Sequence, residues 1–314
     1  MVSALFHLHL LTFFLLESML IKSFILEDMY TMWNKVKSLF KDKKKRKWVF
    51  ISLILILLLI ACDMRLKTVY YNFDSDKIDA PVTIALVTDL HADWYGNNQK
   101  TLMNAIDEAS PDVVLLGGDI FDDEKSYKNA EIFLSEVTAK YPCYYVTGNH
   151  EYWSKDIDNI LSIVESYGVT ILSGDCDVVE INGQTINICG VDDVDVDIYV
   201  SGSKSTTTQI KELSEKVNFD NYTILLSHRP EIIDTYKKYD FDLVLCGHAH
   251  GGQWRIPVVL NGLYSPHQGI FPDYAGGRYD YDKGTMIVSR GLARESTPAP
   301  RIFNRPELVI IELK

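Results

Sequence analysis

Five short apolar runs in this chain each stop at a polar cluster rich in Asp, Asn or His, and this repeated ending constrains the fold more than any other feature. Val82–Val87 runs into Thr88-Asp89-Leu90-His91, Val113–Leu116 into Gly117-Gly118-Asp119, and Tyr144–Val146 into Gly148-Asn149-His150-Glu151. Tyr222–Leu226 likewise runs into Ser227-His228, and Leu243–Cys246 into Gly247-His248-Ala249-His250. Short apolar, β-branched runs of this kind read as buried strands. Helical patterns near Lys100–Ala109, Asn129–Lys140 and Asp156–Tyr167 separate the first of them, which is α/β order. In open α/β sheets ligands bind beyond the carboxyl ends of the strands, so five such endings can converge on one place.

The rest of the chain is richer in strand. Thr170–Leu172, Asp177–Ile181, Thr185–Cys189, Thr285–Val288 and Leu308–Ile311 read as strands, with a helix near Thr208–Lys216. Mixed β content after α/β units predicts more than one sheet, so the expected class is α/β with two mixed sheets. No repeat, low-complexity tract or linker interrupts the chain from Thr68 onward, and residues 67–314 are assigned to one domain. With 314 residues and 47% apolar content there is enough material for a well-buried core. The five cysteines, Cys62, Cys143, Cys176, Cys189 and Cys246, match neither a disulfide scaffold nor a zinc pattern. Cys143, Cys189 and Cys246 lie in apolar runs, and the cysteines are expected to be small core residues.

The amino-terminal end carries an address. Residues 48–62, WVFISLILILLLIAC, are uncharged and follow Lys41, Lys43, Lys44, Lys45, Arg46 and Lys47. This layout predicts a basic cytoplasmic segment at 1–47, a transmembrane signal-anchor at 48–66 and the large domain on the extracytoplasmic side of a cell membrane. The run of 15 is shorter than the roughly 20 residues of a spanning helix, and snorkelling lysines with Met64 and Leu66 would extend it. Alternatively, Leu59-Ile60-Ala61-Cys62 resembles a lipoprotein cleavage box, with the lipid carried by Cys62. Residues 1–28 are apolar but broken by His7, His9, Glu17 and Lys22. A start at Met29 or Met32 would leave a compact signal-anchor, and a first membrane segment is the other reading.

The side chains at the strand ends specify the chemistry. They include two Asp, one Asn and five of the chain's eight His. Imidazole mixed with carboxylate suits Mn, Fe or Zn better than Ca or Mg, which prefer oxygen shells. In Asp89-x-His91 and His248-x-His250 the spacing puts both side chains on one side of extended backbone, where each pair can grip metal. Residues 49–314 hold 22 basic against 39 acidic residues, a net of −17, which disfavours a nucleic-acid partner.

Taken together, Asp89-x-His91, Gly118-Asp119, Gly148-Asn149-His150-Glu151, the lone His228 and Gly247-His248-x-His250 resemble the motif set of the calcineurin-like metallophosphoesterases. The resemblance covers about residues 82–314. The run Gly247 to Gln253, with Ser289-Arg290-Gly291-Leu292, looks like that family's membrane-associated bacterial phosphodiesterase branch. The resemblance implies two mixed β-sheets packed together and flanked by helices. It also implies two divalent transition-metal ions: Asp89, His91, Asp119 and His250 would hold the first, Asn149, His228 and His248 the second, and Asp119 would bridge them. Two such ions can share a hydroxide for in-line attack on phosphorus. His150 would be the general acid on the leaving oxygen, with Asp122 orienting it.

Where the phosphoprotein-phosphatase relatives carry an Arg after the Asp122 position, this chain has Asp123. The reading that follows is a membrane-anchored phosphoesterase acting on a phosphodiester or pyrophosphate, with a lipid-linked or nucleotide-like substrate. Arg229 and Arg290 are candidate phosphate holders or structural ion-pair partners. The aromatic stretch Trp254 to Tyr281 reads equally as a substrate loop, a lip on the membrane or a packed cover, and His267 within it is left out of the metal set. The rivals are a secreted nucleotidase or nuclease, and a non-catalytic membrane scaffold on the same fold.

Overall fold

The computed structural model describes residues 29–34, 37, 42–294 and 300–314, and the chain divides into two units after Ile60. In the first unit a helix begins at Lys43 and runs to Ala61. Its amino-terminal end is Lys43-Lys44-Lys45-Arg46-Lys47, so only residues 48–61 are apolar, a rise of about 21 Å against a hydrocarbon core of about 30 Å. The spanning segment expected at 48–66 is therefore not found. No helix among the described residues is long and apolar enough to cross a membrane. The readings of residues 1–28 fall outside the described residues.

The second unit, Ala61–Lys314, is built on two six-stranded sheets. Its strands are β1 (Lys67–Phe73), β2 (Val82–Val87), β3 (Val113–Gly117), β4 (Cys143–Val146), β5 (Thr170–Ile171), β6 (Asp175–Ile181) and β7 (Gln184–Gly190). There follow β8 (Tyr222–Leu226), β9 (Leu243–Cys246), β10 (Tyr264–Ser265), β11 (Gly269–Ile270), β12 (Gly277–Tyr281), β13 (Gly284–Val288) and β14 (Glu307–Leu313). One sheet has the order β1-β14-β2-β3-β4-β5 and the other β12-β13-β9-β8-β7-β6, while β10 and β11 form a small hairpin.

Alternation along the central strands explains the layering. In β2, Ile84 and Leu86 join Leu115, Ile186, Ile188, Ile224, Leu245 and Val309 in an apolar layer between the sheets. Ala85 and Val87 point the other way, onto the helices Lys100–Ala109, Lys128–Thr138 and Ile157–Ser166. A strand buried on both faces must be apolar throughout, which is why these strands read as unbroken runs. The helix Thr206–Ser214 contributes Ile210 and Leu213 to a third cluster, on the outer face of the second sheet. Helix, sheet, sheet and helix thus stack in four layers, the two-sheet α/β arrangement expected.

The crossovers put the site in place. β2, β3 and β4 pair in parallel, as do β7, β8 and β9, so the polar endings after β2, β3, β4, β8 and β9 all follow carboxyl ends. Two edge strands escaped the sequence reading: β1, which pairs in parallel with β14, and β12.

The cysteine expectation also needs correction. Cys176 and Cys189 are direct cross-strand partners in β6 and β7 and form a disulfide. The two-residue loop Asn182-Gly183, both residues at positive φ, sets the register that brings them face to face. Cys143 and Cys246 are buried and Cys62 is exposed.

Because Ile224 is fully buried in the layer that both sheets share, Ile224→Ala should lower stability by about 2–5 kcal/mol. A shift of the urea midpoint measures this, and a midpoint within error of the wild type would contradict the layering.

Candidate metal centre

The five strand endings meet. Ligand atoms of Asp89, His91, Asp119 and His250 all lie within 4.8 Å of one another, and those of Asp119, His228 and His248 do so as a second group. Asp119 belongs to both. Asn149 is buried beside them at the amino-terminal end of the short helix Asn149–Trp153. The seven side chains named from the sequence as metal ligands are thus gathered at one place, all buried.

The loops that carry them are held under local strain. Asp89, His91, Asp119, His248 and His250 all have positive φ, between 46° and 66°, a region that residues other than glycine seldom occupy. A carboxylate absent from the sequence-based site does much of the holding. Glu151 accepts the backbone N–H of Asp119 (2.9 Å), Ile120 (2.8 Å), Phe121 (3.1 Å) and Gly148 (2.8 Å), clamping the loop after β3 to the loop after β4. Burial, then the charge of Asp119, pushes the Glu151 carboxyl up to about 7, against the pull of those N–H groups. Its sequence signal was the spacing of an acid three residues after Gly148, where a capping-box acid stands. The close fit also requires Gly118, at φ +87, since a Cβ there would stand 2.7 Å from His228 Nδ1 and collide with the Gly148 backbone.

The donor set fits metal, and two buried atoms show it. His91 donates from Nδ1 to Asp122 Oδ2 at 2.9 Å, which leaves a lone pair on Nε2, and Nε2 has no hydrogen-bond partner. Asn149 Oδ1 is likewise buried and unpartnered. Unsatisfied buried polar atoms cost about 1–3 kcal/mol each, and a cation would satisfy both. His228 donates from Nδ1 to the Gly117 carbonyl at 2.8 Å, which turns Nε2 to Asp119 Oδ2 at 3.0 Å. This second contact on the far ring nitrogen fixes the ligating atom, as outer partners of metal-bound histidines do. Asp89 is oriented by the His248 backbone N–H, 2.9 Å from its Oδ1. Burial, followed by Arg229 for His248 and His91 for His250, holds both imidazoles well below their usual range, so they stay neutral as ligands must.

One sequence-based role changes, and one open alternative is narrowed. Asp122, expected to orient His150, instead has Oδ2 on His91 and Oδ1 on the Glu124 backbone N–H (3.0 Å). The carboxylate that holds His150 is Asp123, with Oδ1 2.6 Å from Nδ1. Arg229 is fully buried and taken up by Asp193 (2.6 Å), Asp195 (3.2 Å) and Glu231 (3.3 Å), while Arg290 pairs with Glu307 at 3.2 Å. Both arginines are ion-pair partners within the fold. His267, left out of the metal set, stands 3.1 Å from His248 Nε2 and 2.8 Å from Arg229 Nη1.

Over the centre lies a small cavity of about 180 Å³, walled by Trp153, Gln253, Tyr264 and Pro266 together with His150. Larger hollows, near Gly174–Asn221 and Asp112–Ile188, hold no cluster of metal-binding side chains among the described residues.

The family model of the calcineurin-like phosphoesterases matches residues 82–252, the span that contains every one of these ligands. The chain belongs to the calcineurin-like phosphoesterase family. Among its relatives is an uncharacterized metallophosphoesterase of Helicobacter pylori strain J99, 34% identical over 220 residues that make up 66% of this chain and 56% of the relative. The uncharacterized metallophosphoesterase YkuE of Bacillus subtilis is 26% identical over 250 residues, 78% of this chain and 81% of its own length. This calcineurin-like chain therefore spans little more than half of the Helicobacter protein. Among solved structures, the NAD nucleotidase of Haemophilus influenzae matches with a TM-score of 0.49 at 16% identity, covering 68% of this chain and 46% of that one, a likeness too slight to bear on substrate.

The charge state of His228 yields a measurable consequence. Burial disfavours its charge, the adjacent Asp119 carboxylate overrides that, and His228 is pushed up to about 10 in the metal-free chain. The raised value means protonation at pH 7, with a stabilising pair that is fully present below about 6.5 and lost as pH rises through about 10. Loading Mn²⁺ at pH 7 should therefore release a proton from His228, and apparent affinity should rise about tenfold per pH unit toward pH 9. Calorimetry in buffers of differing ionisation enthalpy reads the release. Proton release as large in His228→Gln as in the wild type would show that the proton comes from elsewhere.

Proposed function

We propose that this chain is a metal-dependent phosphoric ester hydrolase whose preferred substrates are phosphodiesters or pyrophosphates. The observation that carries the reading is Asp119 shared by two ligand groups, directly beside a histidine held by its own carboxylate. Divalent ions bound there would supply Lewis-acid polarisation of the phosphoryl group and activation of water at neutral pH. Asp89, His91, Asp119 and His250 would hold one ion, and Asn149, His228, His248 and Asp119 the other. Asp123 fixes Nδ1 of His150, which leaves Nε2 to deliver a proton to the leaving oxygen.

Charge supports the diester. Asp123 is bonded to the cavity-lining His150, and Arg229 and Arg290 are already neutralised by acids. Beyond the bound ions, neither arginine is available to hold the second negative charge of a phosphomonoester dianion, a charge that a diester monoanion lacks.

We also infer that the protein is held at a membrane by its basic and apolar amino-terminal segment, outside the cytoplasm. The Cys176–Cys189 disulfide supports that side, because such bonds persist in oxidising compartments. Protease added to intact cells should then remove the phosphoesterase domain. A domain that is cleaved only after lysis would place it inside.

With Mn²⁺, the purified chain should hydrolyse aryl phosphodiesters faster than the monoesters, and chelation should abolish turnover. His150→Gln should lower kcat by about 10²–10⁴. Asp123→Asn should lower kcat with metal affinity intact, whereas Asp122→Asn should cost about 10–100-fold in metal affinity. Full activity after chelation, or in His150→Gln, would sink the reading.

A further inference from the structure

Beside the cavity the chain between β9 and β12 projects a surface that the proposed chemistry does not use. Trp254, Ile256, Val258, Val259, Ile270 and Phe271 are all exposed, Val259 at 79%, Ile270 at 69% and Phe271 at 64%. Single exposed apolar residues are ordinary, but a cluster of six within 18 residues marks an interaction surface. The tip is unusual for a turn in water. Val258 stands at φ +70, a conformation that turns normally give to glycine or asparagine, and here it holds a branched apolar side chain outward.

The backbone around the tip is bonded within the segment. Ile256 N–H reaches Leu260 O (3.0 Å), Val259 and Leu260 N–H reach Ile256 O (3.0 and 2.8 Å), and Phe271 N–H reaches Leu263 O (2.8 Å). Such a segment can leave water without stripping these groups of partners. Residues 254–272 also contain no Asp or Glu, in a chain with 43 of them. On an acidic domain, a segment with no carboxylate adds no repulsion of its own toward an anionic surface. Tyr264 joins the two features, since it walls the cavity and is half exposed on the same segment.

We propose that the segment from Trp254 to Phe271 docks on a lipid bilayer surface, its apolar tip entering the headgroup boundary so that the cavity opens onto phosphoesters borne by lipid. Amphipathic aromatics with aliphatic neighbours favour that boundary, and a cavity of about 180 Å³ admits a headgroup phosphate rather than a whole lipid. The docking stands on exposure and charge alone, and only the lipid substrate rests on the phosphoesterase reading.

The test uses the full chain in vesicles of phosphatidylglycerol and phosphatidylethanolamine doped with brominated lipid. Fluorescence quenching should be greater in the wild type than in Trp254→Phe, the difference isolating Trp254 from the other tryptophans. The double variant Val258→Asp/Val259→Asp should abolish that difference. It should also lose at least tenfold in kcat/KM on a vesicle-borne phosphodiester while hydrolysing a soluble aryl phosphodiester like the wild type. Equal quenching in wild type and Trp254→Phe overturns the proposal. So does a double variant that turns a dimer into a monomer in sedimentation with quenching unchanged, which would make the face a self-association surface. If no soluble ester is split by any form, the phosphoesterase reading fails while quenching still decides the docking.

Discussion

One buried carboxylate holds the candidate metal centre in shape. Glu151 collects four backbone N–H groups from two loops, and the residues on both sides depend on it: the candidate ligand Asp119 on one loop, and the candidate ligand Asn149 with the proposed acid His150 on the other. The loops bend through positive φ at five ligand positions, a conformation worth about 1–3 kcal/mol of strain each. That strain persists because bonds from several directions over-determine it, including the Asp89 contact to the His248 backbone. The candidate ligands are therefore held in place by the chain itself, at the expense of local backbone energy and of two unpartnered buried atoms, His91 Nε2 and Asn149 Oδ1.

The rigid support lies in the sheets. Strands buried on both faces cannot slip without moving apolar side chains into the wrong layer, so their carboxyl ends are fixed points. Short loops leaving such points can carry ligands with little freedom, and the His228 ring, which follows β8, is further fixed by the Gly117 carbonyl at the end of β3 in the other sheet. Orientation of each ring through its second nitrogen completes the arrangement, by Asp122 for His91 and Asp123 for His150. Two adjacent acids thus serve two different histidines.

What the sequence made legible follows the same physics. The central strands were plain because burial on both faces demands unbroken apolar runs, and the convergence of the polar side chains was plain because they stand directly after those runs. β1 and β12 were not, since both are edge strands with no fully buried residue and so lack the apolar run that marks a central strand, and β1 also pairs with a partner far along the chain, Lys67 with Glu307. The division of labour between Asp122 and Asp123 was hidden because it depends on which way each side chain leaves one loop. The Cys176–Cys189 bond was hidden because it depends on hairpin register, although Asn182-Gly183 carried the needed signal. Glu151 stood in plain view within a recognised motif, yet its bonds are all to backbone, which motif spacing does not describe.

The place of β14 in its sheet bears on how such a chain is made. β14 lies between β1 and β2, pairing in parallel with one and antiparallel to the other, so the strand nearest the carboxyl terminus fills the gap beside the strand that carries Asp89. A growing polypeptide that has already made β2 must wait for more than two hundred further residues before that edge is covered. Non-local pairing of this kind folds slowly and leaves a hydrophobic edge open meanwhile. Loss of β14 would leave every candidate metal ligand in the sequence and still leave β1 without a partner and β2 with an unpaired edge, so the placing of Asp89 depends on a seven-residue strand more than two hundred residues away.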